Sequence, residues 1–177
     1  ASKLNMLENV NDVVRLAKAL QSAAPKAFVP PSDGTKPETQ QILPFAMVKG
    51  TRGYIEKVCH QINGCYEKGW FDACAVMMRR LLETLVIETF EHHKLDANIK
   101  NPSTQDFFML KDLIDKTLNE KSWNIGRNAK QALPRLKAIG DQAAHSRRYN
   151  AHREDIDKVS TDFRTVCQEL LYLANLK

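Results

Sequence analysis

At 177 residues, 43% hydrophobic and 27% charged, the chain is long enough to bury one sizeable core and leave an arm outside it. Seven glycines and few β-branched runs lean the composition towards helix, and no apolar stretch approaches the ~18 residues of a bilayer span. The net charge of +5 is concentrated: between residues 127 and 153 seven basic residues (Arg127, Lys130, Arg135, Lys137, Arg147, Arg148, Arg153) stand against one acid, Asp141. That segment carries the electrostatic footprint expected of a polyanion-binding surface and leaves the remainder close to neutral.

The first element, about Lys3–Ala23, places Met6, Val10, Val13, Ala17 and Leu20 at steps of three and four, which predicts one apolar helix face ending at Pro25. Pro25, Pro30, Pro31, Pro37 and Pro44 then mark a partly extended linker, with Phe28, Ile42, Leu43 and Phe45 available to pin it to a surface. Residues 1–48 thus read as a helix and Pro-rich arm in front of a compact domain, 49–177. The opening residues lack the basic and apolar regions of a secretory leader.

In the second region Ile55, Val58, Ile62 and Cys65 or Tyr66 recur at helical steps up to a Lys68-Gly69 stop. Residues about Trp70–Lys94 are apolar nearly all round, as expected of a central helix buried on most sides. After a polar loop, Ser103 or Thr104 is positioned to cap a helix over Gln105–Lys121, with Phe107, Leu110, Ile114 and Leu118 as its stripe. The next helix, about Arg127–His145, carries Pro134 inside it, which predicts a kink or a late start. The last shows Ile156, Val159, Phe163, Val166, Leu170 and Leu173 in a heptad-like seam that suits either a bundle core or a second chain.

Cys59, Cys65, Cys74 and Cys167 form neither a CxxC pair nor a disulfide framework, which fits a reducing cytoplasm. A zinc set of Cys59, His60, Cys65 and Cys74 is disfavoured because Cys59 and Cys65 would lie about 240° apart on a helix. His92 and His93 are neighbours and read as a cationic helix end. No P-loop, dinucleotide fingerprint, HExxH or GxSxG is present in the sequence. No cofactor or metal is expected.

Three constellations carry chemistry. In RRLLE, Arg79–Glu83, the spacing offers an ion pair from Arg79 or Arg80 to Glu83. An inward-facing arginine here would need that partner. In GDQAAH, Asp141 and His145 share a helix face, an arrangement suited to a general acid or base and equally to a structural hydrogen bond. The small residues Gly140, Ala143 and Ala144 imply close helix–helix approach. In SRRYNAH, Arg147 precedes His152 by five positions. An arginine that neutralises a developing phosphorane and a histidine that moves the 2′-hydroxyl proton are the parts of a metal-free RNA cleavage site. Tyr149 stands beside them as a base-stacking candidate.

The order FDACAVMMRRLLETLV, LKDLIDK, LPRLKAIGDQAAHS and a heptad-like final helix resembles domain-of-unknown-function family 4145 over about Gly50–Leu176. That family is similar to the HEPN superfamily of bacterial and archaeal helical domains. The resemblance implies an all-α bundle of four to five helices that dimerises and serves toxin–antitoxin, abortive-infection or other antiviral systems. Active members are metal-independent ribonucleases with an Arg-polar-x-x-x-His motif. On that motif His145 takes the histidine and Asp141 the polar position, while Gly140 stands where the arginine would be. Lys137 replaces the family's own upstream arginine, and Asp141 its usual asparagine. Arg147 and His152 fit the motif's spacing with Arg148 in the polar slot.

The expectation is a cytoplasmic homodimer acting as an interaction or sensing module of a bacterial defence-type system, with a protein partner from such a system. It would bind RNA or a nucleotide-like anion through Lys137, Arg147, Arg148, Arg153, Arg79 and Arg80, with no membrane association. The alternatives are a metal-independent endoribonuclease using His145 or His152 with Arg147 or Arg148, and a purely structural dimerisation domain.

Overall fold

The computed structural model describes residues 41–177 and, before them, Arg15 alone. The helix expected at about Lys3–Ala23 and the linker as far as residue 40 lie outside the described residues. Among the described residues there are five α-helices and no strand: α1 (Gly53–Glu67), α2 (Phe71–His92), α3 (Leu110–Asn119), α4 (Arg127–His145) and α5 (Arg153–Leu173). The protein is an all-α bundle, and no described helix is long and apolar enough to cross a membrane.

α2 is the central element, packed against the other four helices. Its inward residues include Ala75, Met78, Leu81, Leu82, Leu85, Val86 and Phe90, each at most 1% exposed. Burying a leucine or phenylalanine to that extent stabilises the fold by about 1.5–3 kcal/mol. The predicted stop after α1 is a Schellman turn. Gly69 sits at φ +76°, its N–H donates to the Tyr66 carbonyl at 3.1 Å, and the Trp70 N–H donates to the Cys65 carbonyl at 2.9 Å.

Ile42, Leu43 and Val48, which the sequence placed in the arm, are core residues at 0–3% exposure. Asn63 holds this entry segment by accepting the Leu43 N–H at 3.1 Å and donating to the Leu43 carbonyl at 2.8 Å. The Phe45 ring stacks on His60 at 4.5 Å between centroids.

α3 begins later than its spacing predicted, at Leu110 with Met109 in the cap position, and not at Gln105 after Ser103 or Thr104. The Asn101 side chain diverts the backbone by accepting the Ser103 N–H at 2.9 Å. The Asn101 N–H then donates to the Asp106 carbonyl at 2.8 Å, and Lys100 pairs with Phe107 as an isolated antiparallel bridge. A local side-chain acceptor thus outcompetes the first helical turn. α4 has the predicted bounds and stays helical through Pro134, with no late start. The α5 seam turns inward: Ile156, Phe163, Val166 and Leu170 are at most 1% exposed within the chain's own core.

Candidate functional site

α4 crosses α2 at Gly140. A Cβ there would lie 2.5 Å from the Arg79 Cβ and 3.1 Å from the Ala75 carbonyl oxygen, so only glycine fits this approach. The close contact brings together side chains 62 positions apart in sequence: Arg79 Nε donates to Asp141 Oδ1 at 2.8 Å. Arg79 also pairs with Glu83 at 3.4 Å, as the RRLLE spacing predicted, and Lys137 binds the other Asp141 oxygen one helical turn away. Arg79 and Asp141 are 24% and 30% exposed, so the cluster is half-buried. Burial works against the ionised form of Asp141, but the hydrogen bonds from Lys137 and Arg79 outweigh it and hold the carboxyl below its ordinary value.

Both Asp141 oxygens therefore face cations. The carboxylate does not serve His145, which is exposed at the last turn of α4. Of the small residues beside Gly140, Ala143 packs on the core and Ala144 is exposed. Arg80, next to Arg79, points into solvent.

After α4 the chain turns through Ser146–His152. Arg147 and Arg148 are exposed there and, among the described residues, neither has an ion-pair partner; the same holds for His145. The turn is nevertheless tied down. The Ala151 N–H donates to the Asp72 carboxylate at 2.8 Å, which links it to the first turn of α2. The Tyr149 hydroxyl donates to Asp155 at 3.3 Å, and the His152 N–H donates to the same Asp155 oxygen at 3.0 Å, capping α5. Burial, with the Asp155 charge beside it, pushes the Tyr149 phenol up. The backbone N–H of His152 pulls the Asp155 carboxyl down. Arg79 faces Gly140 while Asp72 faces Ala151, so α2 and α4 run antiparallel.

The other basic residues of the segment do not join the turn: Arg127 and Lys130 are exposed in the first turn of α4 without an ion-pair partner among the described residues. Arg135 pairs with Asp162 of α5 at 2.8 Å. The Arg153 guanidinium lies over the Tyr66 ring at 4.7 Å and the Phe71 ring at 5.5 Å, and its Nη1 donates to the Tyr66 hydroxyl at 2.9 Å. Of the positions singled out from sequence, the fold gathers Arg79, Lys137 and Asp141 in one contact. It displays His145, Arg147, Arg148 and His152 along one turn and fastens Arg153 to α1 and α2. Sequence reasoning named Glu83 as a partner of Arg79 and missed Asp72 and Tyr66 as partners of this region. Asp72 and Tyr66 act on residues 79 and 87 positions away, and no local pattern signals that.

Among the described residues no group of three or more His, Cys, Asp or Glu is arranged to hold a metal ion. Cys59, Cys74 and Cys167 are buried free thiols, and burial raises Cys59 and Cys74 to about 12, a range in which neither is a nucleophile. Cys65 is half-buried. A depression of about 250 Å³ lined by Phe90, Asn98, Lys116, Asn119 and Glu120 opens near the other end of α2. Phe90 lies about 27 Å along the helix from Asp72, and none of the charged residues of the α2–α4 contact or of the following turn lines that depression.

Four helices arranged around a central fifth, with no strand among the described residues, define an all-α bundle domain. The model of the family described as Domain of unknown function (DUF4145) matches residues 60–177, and the chain belongs to that family. Comparisons with curated proteins and with solved structures give no match.

Proposed function

We propose that this chain is a binding module for nucleic acid or a nucleotide-like anion, which it grips by phosphate through the turn that follows α4. The observation that supports this most directly is a division among the cations. Arg79, Lys137, Arg135 and Arg153 are all engaged by other side chains, while Arg80, Arg127, Lys130, Arg147 and Arg148 are exposed without an ion-pair partner among the described residues; of these, only Arg147 and Arg148 are adjacent in sequence. Arginine's planar fork suits phosphate, and two of them side by side offer adjacent contacts. Binding is favoured over cleavage because Asp141 is occupied by Arg79 and Lys137 and does not orient His145 as a base. A HEPN-like placement, a role in a defence-type system, a cytoplasmic location and a homodimeric or partner-bound state belong to the same proposal and rest on the motif resemblance.

The test is to incubate the purified chain with mixed RNAs in EDTA beside its His145→Ala, His152→Ala and Arg147→Ala/Arg148→Ala variants. The expected outcome is retardation of intact RNA at low salt and release at high salt. The double arginine variant should lower the salt slope by about 1.4, two phosphates at roughly 0.7 each for a single strand. Cleavage abolished by either histidine variant would replace the binding module with a metal-independent ribonuclease. Neither retardation nor cleavage would leave a structural dimerisation domain, checked by sedimentation.

A further inference from the structure

The arginine-bearing turn is held to α2 at two points. On the way in, Arg79 grips Asp141 across the Gly140 contact. On the way out, the Ala151 N–H is received by Asp72 at 2.8 Å, and Ala151 itself is 7% exposed. Between them the Ser146 N–H closes on the Gln142 carbonyl at 3.0 Å, and Tyr149 rests on Asp155. Arg147 and Arg148 therefore stand on a short segment whose two ends are fixed to one helix.

We propose that Asp72 is a positioning residue for the anion site: by accepting the Ala151 N–H it pins the far end of the turn, so that Arg147 and Arg148 meet a polyanion already arranged. This rests on the basic-turn reading given above. Asp72 touches no ligand in this scheme. It acts by removing the cost of ordering the turn when the ligand arrives, and a turn that visits the competent arrangement only part of the time loses affinity in proportion.

The idea makes a prediction of opposite sign to simple electrostatics. Asp72 is a negative charge beside a cationic turn, so by charge alone its removal should tighten binding to any polyanion. If it is a pin, the acceptor matters more than the charge. Asp72→Ala removes both, whereas Asp72→Asn removes the charge and keeps a carbonyl oxygen that can take the Ala151 N–H. Both variants lose the same favourable interaction with the α2 N-terminus, so that contribution cancels in the comparison.

Two measurements on the full chain decide the matter. First, affinity for a fluorescein-labelled poly(U) oligonucleotide is titrated at several salt concentrations. Asp72→Ala should bind about fivefold more weakly, as expected when the competent turn is populated only part of the time. Asp72→Asn should bind slightly tighter than the unaltered chain. Second, amide hydrogen exchange without ligand should speed up across residues 147–152 in Asp72→Ala and stay near the unaltered rate in Asp72→Asn. Variants that both bind at least as tightly as the unaltered chain, or that both lose affinity to the same extent, overturn the proposal. So does unchanged exchange at Ala151 in Asp72→Ala. Failure of the unaltered chain to bind poly(U) would remove the basic-turn reading instead, and the exchange measurement would still decide whether Asp72 pins the turn.

Discussion

The chain uses its cations in two opposite ways at the α2–α4 crossing and at the turn that follows α4. At the α2–α4 crossing, Arg79 and Lys137 converge on Asp141, half-buried, with Gly140 letting the backbones close in. One turn further on, Arg147 and Arg148 carry the same charge and meet water. The first region ties α2 to α4, and the second leaves its charges without an ion-pair partner among the described residues. Charge type alone does not separate them; the difference is whether the fold delivers a carboxylate to each cation. A cation already paired at short range has little attraction left for a phosphate.

The contrast can be broken most forcefully at the crossing. Gly140→Ala should cost roughly 2 kcal/mol, because the added carbon must displace Arg79 and the Ala75 carbonyl in a packed contact. Urea unfolding followed by circular dichroism measures it, and a variant as stable as the parent would mean the crossing relaxes freely. Asp141→Ala should cost about 1–2 kcal/mol by leaving Arg79 half-buried without its short partner. Substituting Arg147 and Arg148 together should stay within about 0.5 kcal/mol of the parent in the same assay, as surface changes do, while affecting anion binding.

The smallest effect is pH-dependent. The folded Asp141 carboxyl is held below its ordinary value, so its contribution is fully present above about pH 4 and fades as the pH falls through the folded value. The stability gap between the parent and Asp141→Asn should therefore narrow on acidification below about pH 4. A gap that stays constant to lower pH would mean that the ion pairs contribute nothing.

Much of the bundle was legible because its helices declare themselves by period. α4 could be bounded at Arg127 and His145, and α2 recognised as central, since Ala132, Leu136 and Ile139 on one and the near-continuous apolar run on the other leave little choice. The start of α3 was not, because Phe107 continues the apolar stripe while Asn101 bends the backbone away from helix. The charged sites were legible only as residue types. Asp141 and His145 share a face by spacing, yet Asp141 is claimed by Arg79, 62 positions earlier, once Gly140 brings the helices together. The anchoring of Arg153 on Tyr66 and Phe71 is likewise a product of tertiary contact. Local pattern names the actors; the packing assigns their partners.

The absence of room at Gly140 also bears on how such a domain can diversify. α4 cannot slide or roll against α2 without driving a side chain into the Ala75 carbonyl, and the turn beyond it is tethered again at Ala151. Insertions or shifts of register in this stretch would be selected against as folding defects. Under the proposed binding function, new ligand preferences would arise by exchanging the side chains at 147 and 148 on an unchanged backbone.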